Sequence, residues 1–235
     1  MLASERKNKI VGYLKLNKRA TIEELLSIID GSISTLRRDL NELEEESILK
    51  RVHGGAELFQ DLSEELSILE KTSKNIQEKE LIAQKALKII KDGDIIFLDA
   101  GTTTGRLAEL INQSNKHLTI VTNSVTHLSK LNDDKLIVYL LGGRVKKVTD
   151  AIIGSQTLAQ LSNYQFDIAF LGANAFDEIH GAMTPDHEEA AIKSLAIAQS
   201  QKNYILVDSS KIGQMSFVKF AKPDEIRLIT EKEEK

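Results

Sequence analysis

Apolar residues recur along this chain at two different periods, and the change between them divides it. Up to residue 53 the spacing is helical. Ile10, Val11 and Leu14 share one face of a first helix. "TIEELLSII" (21–29) opens on a capping box: Thr21 can accept from the backbone N–H of Glu24 while that carboxylate reaches back. Its Ile22, Leu25, Leu26 and Ile29 fall on one stripe. Asp30-Gly31 reads as a turn, with Gly31 permitting a positive φ. A third helix starts at Ser32, a suitable N-cap, and buries Leu36, Leu40 and Leu43 at i, i+4 and i+7. "ILKRVHGGAEL" (48–58) then alternates around two glycines, which predicts a small two-stranded wing.

Residues 57–75 are acidic and mixed, with one weak helical period, and read as a linker that packs on the domain after it. From Ile76 onward helices alternate with β-rich runs. A helix in "QEKELIAQKALKII" precedes "DIIFLDAG", followed by "LTIVTNS", "LIVYLLGG", "FDIAFLGAN", "YILVDSS" and "EIRLITE". Apolar strands alternating with helices predict a parallel, doubly wound sheet covered on both faces. The fold class is therefore α/β, with a winged helix-turn-helix over 1–56, a linker over 57–75 and a mostly parallel α/β domain over 76–235. No internal repeat is evident, and the tail "EKEEK" is expected to fray.

Composition narrows the function classes. A hydrophobic fraction of 41% and a charged fraction of 28% are ordinary for a globular protein. No window approaches the roughly 18 apolar residues of a membrane span, and "MLASERKNKI" has no apolar signal core. Cysteine is absent, which excludes disulfides, thiolate metal sites and cysteine nucleophiles and fits a reducing cytoplasm. The net charge of −4 is unevenly spread: Arg6, Lys7, Lys9, Lys15, Lys18 and Arg19 stand against Glu5 alone in the first 20 residues, and Arg37-Arg38 and Lys50-Arg51 follow. A basic edge on an acidic protein is the footprint of a nucleic-acid module, or simply a solvated helix face.

Three short helices and a hairpin in that order match the winged helix-turn-helix plan, whose third helix enters the major groove of double-stranded DNA. Ser34, Thr35, Arg37, Arg38 and Asn41 lie off the apolar stripe and can face bases or phosphates. Ser32 and Ser34 suit phosphate oxygens at the helix start, Thr21 is a further DNA-binding candidate, and Arg51 and His53 are wing candidates for backbone or minor-groove contacts. The competing reading pairs Arg37 or Arg38 with Glu42, Asp39 or another helix acid.

"DAGTTTGRLAEL" carries the candidate ligand chemistry. It lacks the lysine of a P-loop and the pattern of a dinucleotide fingerprint. What remains is a strand–loop–helix junction with Gly101 and the hydroxyls and amides of Thr102, Thr103 and Thr104, suited to a small dianion or else a plain N-cap. Open parallel sheets bind ligands beyond the carboxyl ends of their strands. Asp99, Thr122-Asn123-Ser124, Gly142-Gly143-Arg144, Asn174 and Asp208–Lys211 are expected there. Lys211 can neutralise a phosphate or be an ordinary surface lysine. In "TPDHEEA", Asp186, Glu188 and Glu189 are favourable first-turn acids or acceptors for sugar hydroxyls, with Asp177 as a further acceptor. His53, His117, His127, His180 and His187 show no metal-ligand spacing, so no metal or other cofactor is expected.

"MLASERKNKIVGYL", "STLRRDLNELEEESILKRVHGGAEL", "FLDAGTTT", "VTNS", "LGGR", "FLGAN", "TPDHEEA" and "VDSSKIG" occur in an order that resembles the DeoR family of bacterial transcription regulators over nearly the whole chain. The resemblance implies operator DNA as partner, a sugar-phosphate effector and a homo-oligomer. One departure is Asp30-Gly31 where the family has Gly-Val, with Ile33 in place of an acid. The family's second domain is similar to the ribose-5-phosphate isomerase fold, which raises an isomerase as the rival function. Against it, Asn174 replaces the loop's first acid and cannot act as a base, and "HGAMTPD" lacks the lysine of the enzyme's glycine-rich segment, so no catalytic residue is expected. Within the family, "RVHGGAEL", "EELSILEKTSKNIQEK" and "VTDAIIG" look most like fructose operon repressors, implying fructose 1-phosphate, with tagatose or other ketose phosphates as alternatives.

Overall fold

In a computed structural model, residues 1–17, 19–46, 48–58, 62–63 and 65–232 are described. The chain separates into two compact units, Met1–Asp61 and Leu62–Lys235. Of the expected linker, Glu57 and Leu58 complete a strand, 59–61 and 64 lie outside the described residues, and the rest belongs to the second unit. Lys18 and the last three residues of the tail also lie outside them.

The first unit runs α1 (Ala3–Asn17), β1 (Arg19–Thr21), α2 (Ile22–Ile28), α3 (Ile33–Glu45), β2 (Leu49–Val52) and β3 (Gly55–Leu58). Ile10, Leu14, Leu25, Leu36, Leu40, Leu43 and Leu49 form its core, so the helical stripes of the sequence are the buried faces. The Thr21–Glu24 capping box forms in both directions, and Ser32 caps α3 by accepting from the Thr35 amide at 3.3 Å. Two expectations need correction. The wing is not two-stranded: β1 joins it, giving the antiparallel order β1-β3-β2 with Thr21 opposite Gly55. Gly55 allows this because a Cβ there would collide with the carbonyl oxygen of Ala20. Gly31, in turn, has no positive φ; Gly54, at φ 79°, turns the hairpin instead.

Asp39 of the "RRDL" stretch is fully buried, and Arg6 clamps it from α1 through Nε at 2.7 Å and Nη2 at 3.1 Å. A fork-on-carboxylate pair fixes direction as well as distance, so it orients α3 against α1.

The second unit begins with α4 (Ile68–Thr72) and α5 (Ile76–Leu87), then β4 (Ile95–Leu98), α6 (Thr102–Asn112), β5 (Leu118–Thr122) and β6 (Leu136–Leu140). Next come β7 (Arg144–Lys146), β8 (Ala151–Ile153), α7 (Ser155–Leu161), β9 (Phe166–Gly172), β10 (Ala175–Asp177) and β11 (Gly181–Thr184). It ends with α8 (His187–Ala198), β12 (Ser200–Leu206), β13 (Val218–Ala221) and β14 (Arg227–Ile229). The six apolar runs of the sequence are the six strands of one parallel sheet, in the order β14-β12-β9-β4-β5-β6. Side chains alternate between two cores. Ile96, Leu98, Ile120 and Phe170 pack under α5 and α6, whereas Phe97, Val121, Ala169 and Leu171 pack under α7 and α8. Both faces are covered at the central strands β4, β5 and β9, which is why these read as continuous apolar runs, whereas edge strand β6 leaves Ile137, Tyr139 and Leu140 exposed. Short antiparallel additions, β7-β8 and β10-β11-β13, were not expected from the sequence.

Numbered along the sheet, the strands follow 3-2-1-4-5-6 about β4, so the direction of winding reverses between β4 and β9. That reversal opens a crevice beyond the carboxyl ends of those two strands, the usual ligand position in such sheets. "DAGTTT" leaves β4 there, and Gly172-Ala173-Asn174 leaves β9 beside it.

Candidate functional site

On the first unit, most off-stripe residues of α3 face solvent. Ser32, Ser34, Arg37, Arg38 and Asn41 are exposed and Thr35 is half-buried. The hydroxyls of Ser32, Ser34 and Thr35 cluster at the helix start, with Ser32 Oγ 2.7 Å from Ser34 Oγ and 3.1 Å from Thr35 Oγ1. Arg37 has no hydrogen bond or ion pair among the described residues. Arg38 approaches Glu42 only at 3.9 Å, a contact of little energetic weight on a surface. The wing folds back onto the helix: Arg51 donates through Nη1 to Asn41 Oδ1, and its backbone N–H donates to Glu44 at 2.8 Å. His53 is exposed at the hairpin turn, and Thr21, opposite Gly55 beside that turn, has its hydroxyl engaged by Glu24.

In the second unit, the switch-point crevice gathers many of the expected residues, though several side chains brace the loops. Asp99 is buried, accepting from the Gly172 amide at 3.0 Å and from Lys193, whose Nζ also reaches Gly172 O at 3.1 Å. Burial pushes the Asp99 carboxyl up, and Lys193 opposes that shift. Asn123 is buried and accepts from the Ala100 amide at 2.9 Å; Thr122 donates to Leu98 O at 2.6 Å. Ser124 lies 3.0 Å from Thr126, and Asn174 accepts from Thr184 at 3.3 Å. Thr104 is buried with its hydroxyl on Gly101 O at 3.1 Å. Gly101, Thr102 and Thr103 stay partly open, and the amides of Thr102–Thr104 donate to no described group. Such a helix start presents its amides and its dipole to an anion.

The acids of α8 are drawn toward the β7-β8 hairpin. Lys146 holds Glu65 at 2.5 Å, Asp186 at 2.8 Å and Glu189 at 3.1 Å, while Arg144 pairs with Glu188. Desolvation works against the Lys146 charge, but the bonds to Asp186 and Glu65 outweigh it and raise its pKa. Gly143, at φ 153°, lets the chain turn into that hairpin where a Cβ would meet Thr157. Lys211 closes a short 3-10 turn capped by Asp208. Asp177 is not brought into this group; its carboxylate takes the amides of Ile179 and His180, both at 2.9 Å. Sequence reasoning missed Lys146, Lys193, Lys79 and His127. A lysine inside "EEAAIKSLAIA", a helix otherwise made of small and apolar residues, is the one visible signal for Lys193.

His127 backs the threonine loop. It is fully buried, with Nδ1 3.3 Å from Thr122 Oγ1 and Nε2 3.3 Å from Gly101 O. Desolvation lowers its pKa to about 4, partly countered by the Gly101 carbonyl, so it is neutral at physiological pH. A depressed folded pKa means that the unfolded chain takes up a proton the folded chain refuses. Stability therefore falls as pH drops from about 6.5 toward 4. Between pH 7.5 and 5.0 the imidazole alone accounts for a loss of about 2 kcal/mol. Urea unfolding should show this share of the pH dependence missing in His127→Gln; equal slopes in both proteins would refute it.

Gly101 and Thr102 also line a cleft of about 500 Å³ together with Ile68, Ile76, Lys79, Lys130 and Asp150. Among the described residues no group of three or more metal-ligating side chains is placed to hold a metal, and no helix is long and apolar enough to cross a membrane.

Comparison with known proteins bears on both units. The DeoR-like helix-turn-helix domain matches residues 6–61, and the DeoR C terminal sensor domain matches residues 74–232. The chain is 43% identical over 230 residues to an uncharacterized HTH-type transcriptional regulator, FruR, of Bacillus subtilis (strain 168), covering 98% of this chain and 91% of that one. It is 38% identical to a lactose phosphotransferase system repressor of Staphylococcus epidermidis, over 91% of this chain and 86% of that one. Among solved structures, ribose 5-phosphate isomerase A from Methanocaldococcus jannaschii is similar at a TM-score of 0.44 and 19% identity, over 59% of this chain and 55% of that one.

Proposed function

Since the chain belongs to the DeoR family of transcription regulators, we propose that it represses a sugar-utilisation operon and that a phosphorylated sugar, fructose 1-phosphate by preference, controls its hold on operator DNA. The observation that carries this reading is a division of labour along one chain. The first unit offers exposed arginines on its third helix, and the second offers open amides at a switch-point helix start. The preference for fructose 1-phosphate rests on the fructose-repressor motifs of the sequence and agrees with the FruR-named relative. Tagatose and other ketose phosphates are the nearest competitors.

A sugar-phosphate isomerase is not supported. The relatives are named as transcriptional regulators and repressors, and Asn174 stands where a base is needed, with its amide oxygen already accepting from Thr184. A homo-oligomer is part of the proposal, because two winged modules are needed to span paired half-sites. The sugar phosphate must bind the DNA-competent and DNA-incompetent arrangements with different affinity, or it shifts nothing.

A thermal-shift screen tests the ligand. A compound at 100 times its Kd adds about 2.7 kcal/mol to stability, which is a rise of roughly 5–10 °C for a unit of this size. Fructose 1-phosphate should give the largest shift, with fructose and inorganic phosphate far behind. No shift with any phosphorylated sugar, or an equal one with unphosphorylated fructose, would reject the sensor reading.

A further inference from the structure

Residues 62–63 and 65–75 are fastened to the rest of the second unit at several points. Leu62 O accepts from the Phe217 amide at 3.0 Å and from Ser216 Oγ at 3.1 Å. Glu65 pairs with Lys146, the Ile68 amide donates to Val148 O at 2.8 Å, and Asn75 Nδ2 reaches Ser210 Oγ at 3.4 Å. Within this well-anchored strap two charged groups are left open. Glu65 Oε1 is buried with no hydrogen-bond partner, although its other oxygen is held by Lys146. Lys71, half-buried on the last turn of α4, makes no side-chain hydrogen bond or ion pair among the described residues.

An ammonium taken out of water without an anion beside it is an unfavourable arrangement. Burial pushes the Lys71 pKa down; Glu65 and Glu189 oppose that shift, while Lys193 and Lys211 add to it. The geometry of α4 locates it: Ile68 and Thr72 of that helix line the cleft with Gly101 and Thr102, and the Lys71 carbonyl accepts from Lys79, another residue of the cleft wall. Lys193 and Lys79 are already engaged, the first by Asp99 and Gly172 and the second by the carbonyls of Lys71 and Lys74. An orphaned donor and an orphaned acceptor thus sit on one short strap without forming a pair.

We propose that Lys71 and Glu65 are ligand-contacting residues: Lys71 binds the anionic group of a phosphorylated sugar and Glu65 Oε1 accepts from one of its hydroxyls. The ligand then adds its own bonds to those that already fasten the strap, and the strap is the stretch of chain that follows the first unit in sequence. This rests on the reading of the second unit as a sugar-phosphate sensor. It assigns ligand contacts to two residues of the "EELSILEKTSKNIQEK" stretch, neither of them among the effector-binding residues expected from the sequence.

The test uses the full chain, with fructose 1-phosphate, a panel of other ketose phosphates, and inorganic phosphate as probes in titration calorimetry. A charge-assisted hydrogen bond is worth about 1.5–3 kcal/mol, so Lys71→Met should weaken binding of the sugar phosphate by about 10- to 100-fold. Lys71→Arg should keep most of the affinity, and Glu65→Gln should lose about tenfold. Amide exchange across 66–75 should slow in the saturated wild type and stay unchanged in Lys71→Met. Should Lys71→Met not fold, Glu65→Gln and the wild-type exchange experiment decide. Wild-type affinity in both Lys71→Met and Glu65→Gln, or an unprotected strap in the saturated wild type, overturns the assignment while leaving the sensor reading intact. A wild type that binds no member of the panel removes the sensor reading, and the assignment falls with it.

Discussion

Replacing Arg37 and Arg38 together by alanine is expected to abolish operator binding while leaving the protein folded. A good arginine contact to a base edge is worth about 1–3 kcal/mol. Losing two weakens binding by at least roughly 30-fold and flattens its dependence on salt. The fold should be indifferent, because both side chains are exposed and, among the described residues, the ion pair at stake is the long one between Arg38 and Glu42. Fluorescence anisotropy on the chain's own upstream region provides the measurement. Undiminished binding in the double variant would remove α3 from the interface. The third charged residue of "RRDL" behaves oppositely. Asp39 is buried against Arg6, so Asp39→Ala should loosen the first unit and lose DNA binding through the fold. Circular dichroism separates the two routes.

The second large effect concerns the threonine loop. Thr103→Glu should abolish sugar-phosphate binding and leave the ligand-free protein able to bind DNA. Thr103 is in the first turn of α6, is partly exposed, and makes no side-chain hydrogen bond among the described residues. A carboxylate there suits the helix dipole, so the substitution does not threaten the fold. It does occupy the amides that a phosphate would use and repels the incoming dianion. Calorimetry with fructose 1-phosphate should show no heat above dilution, and the anisotropy titration without ligand should match wild type. Sugar-phosphate binding that survives would place the anion elsewhere in the second unit.

How far the sequence could be read depended on whether a residue's role was local. The central parallel strands β4, β5 and β9 were visible because they are buried on both faces and read as apolar runs, and the edge strand β6 reads as one although Ile137, Tyr139 and Leu140 stay exposed. The Thr21 box and the Ser32 cap were visible because their partners lie three residues away. By contrast, β1, β7, β8 and β10 have only three residues each, too few to display a period. Long-range pairings were equally hidden: Arg6 and Asp39 are 33 positions apart, and Lys193 and Asp99 are 94 apart. The same limit applies to the crevice. The motifs pointed to the carboxyl ends of the strands, but not to the reversal of winding between β4 and β9. Nor did they show that Asp99 and Asn123 hold loops together from below.

Thr21 belongs to two elements at once, as the last residue of β1 opposite Gly55 and as the cap of α2. The Ile22 amide bonds Gly54 O at 2.9 Å, and Arg51 ties the other side of the hairpin to α3. The hairpin and the helix that follows Ser32 therefore behave as the two arms of a locked caliper, with their separation set before any duplex arrives. A caliper of fixed gauge does not mould itself to what it measures. Any bending or groove-width change made for a fit then falls on the DNA, so sequence between the contacted bases acts through the shape and stiffness of the duplex.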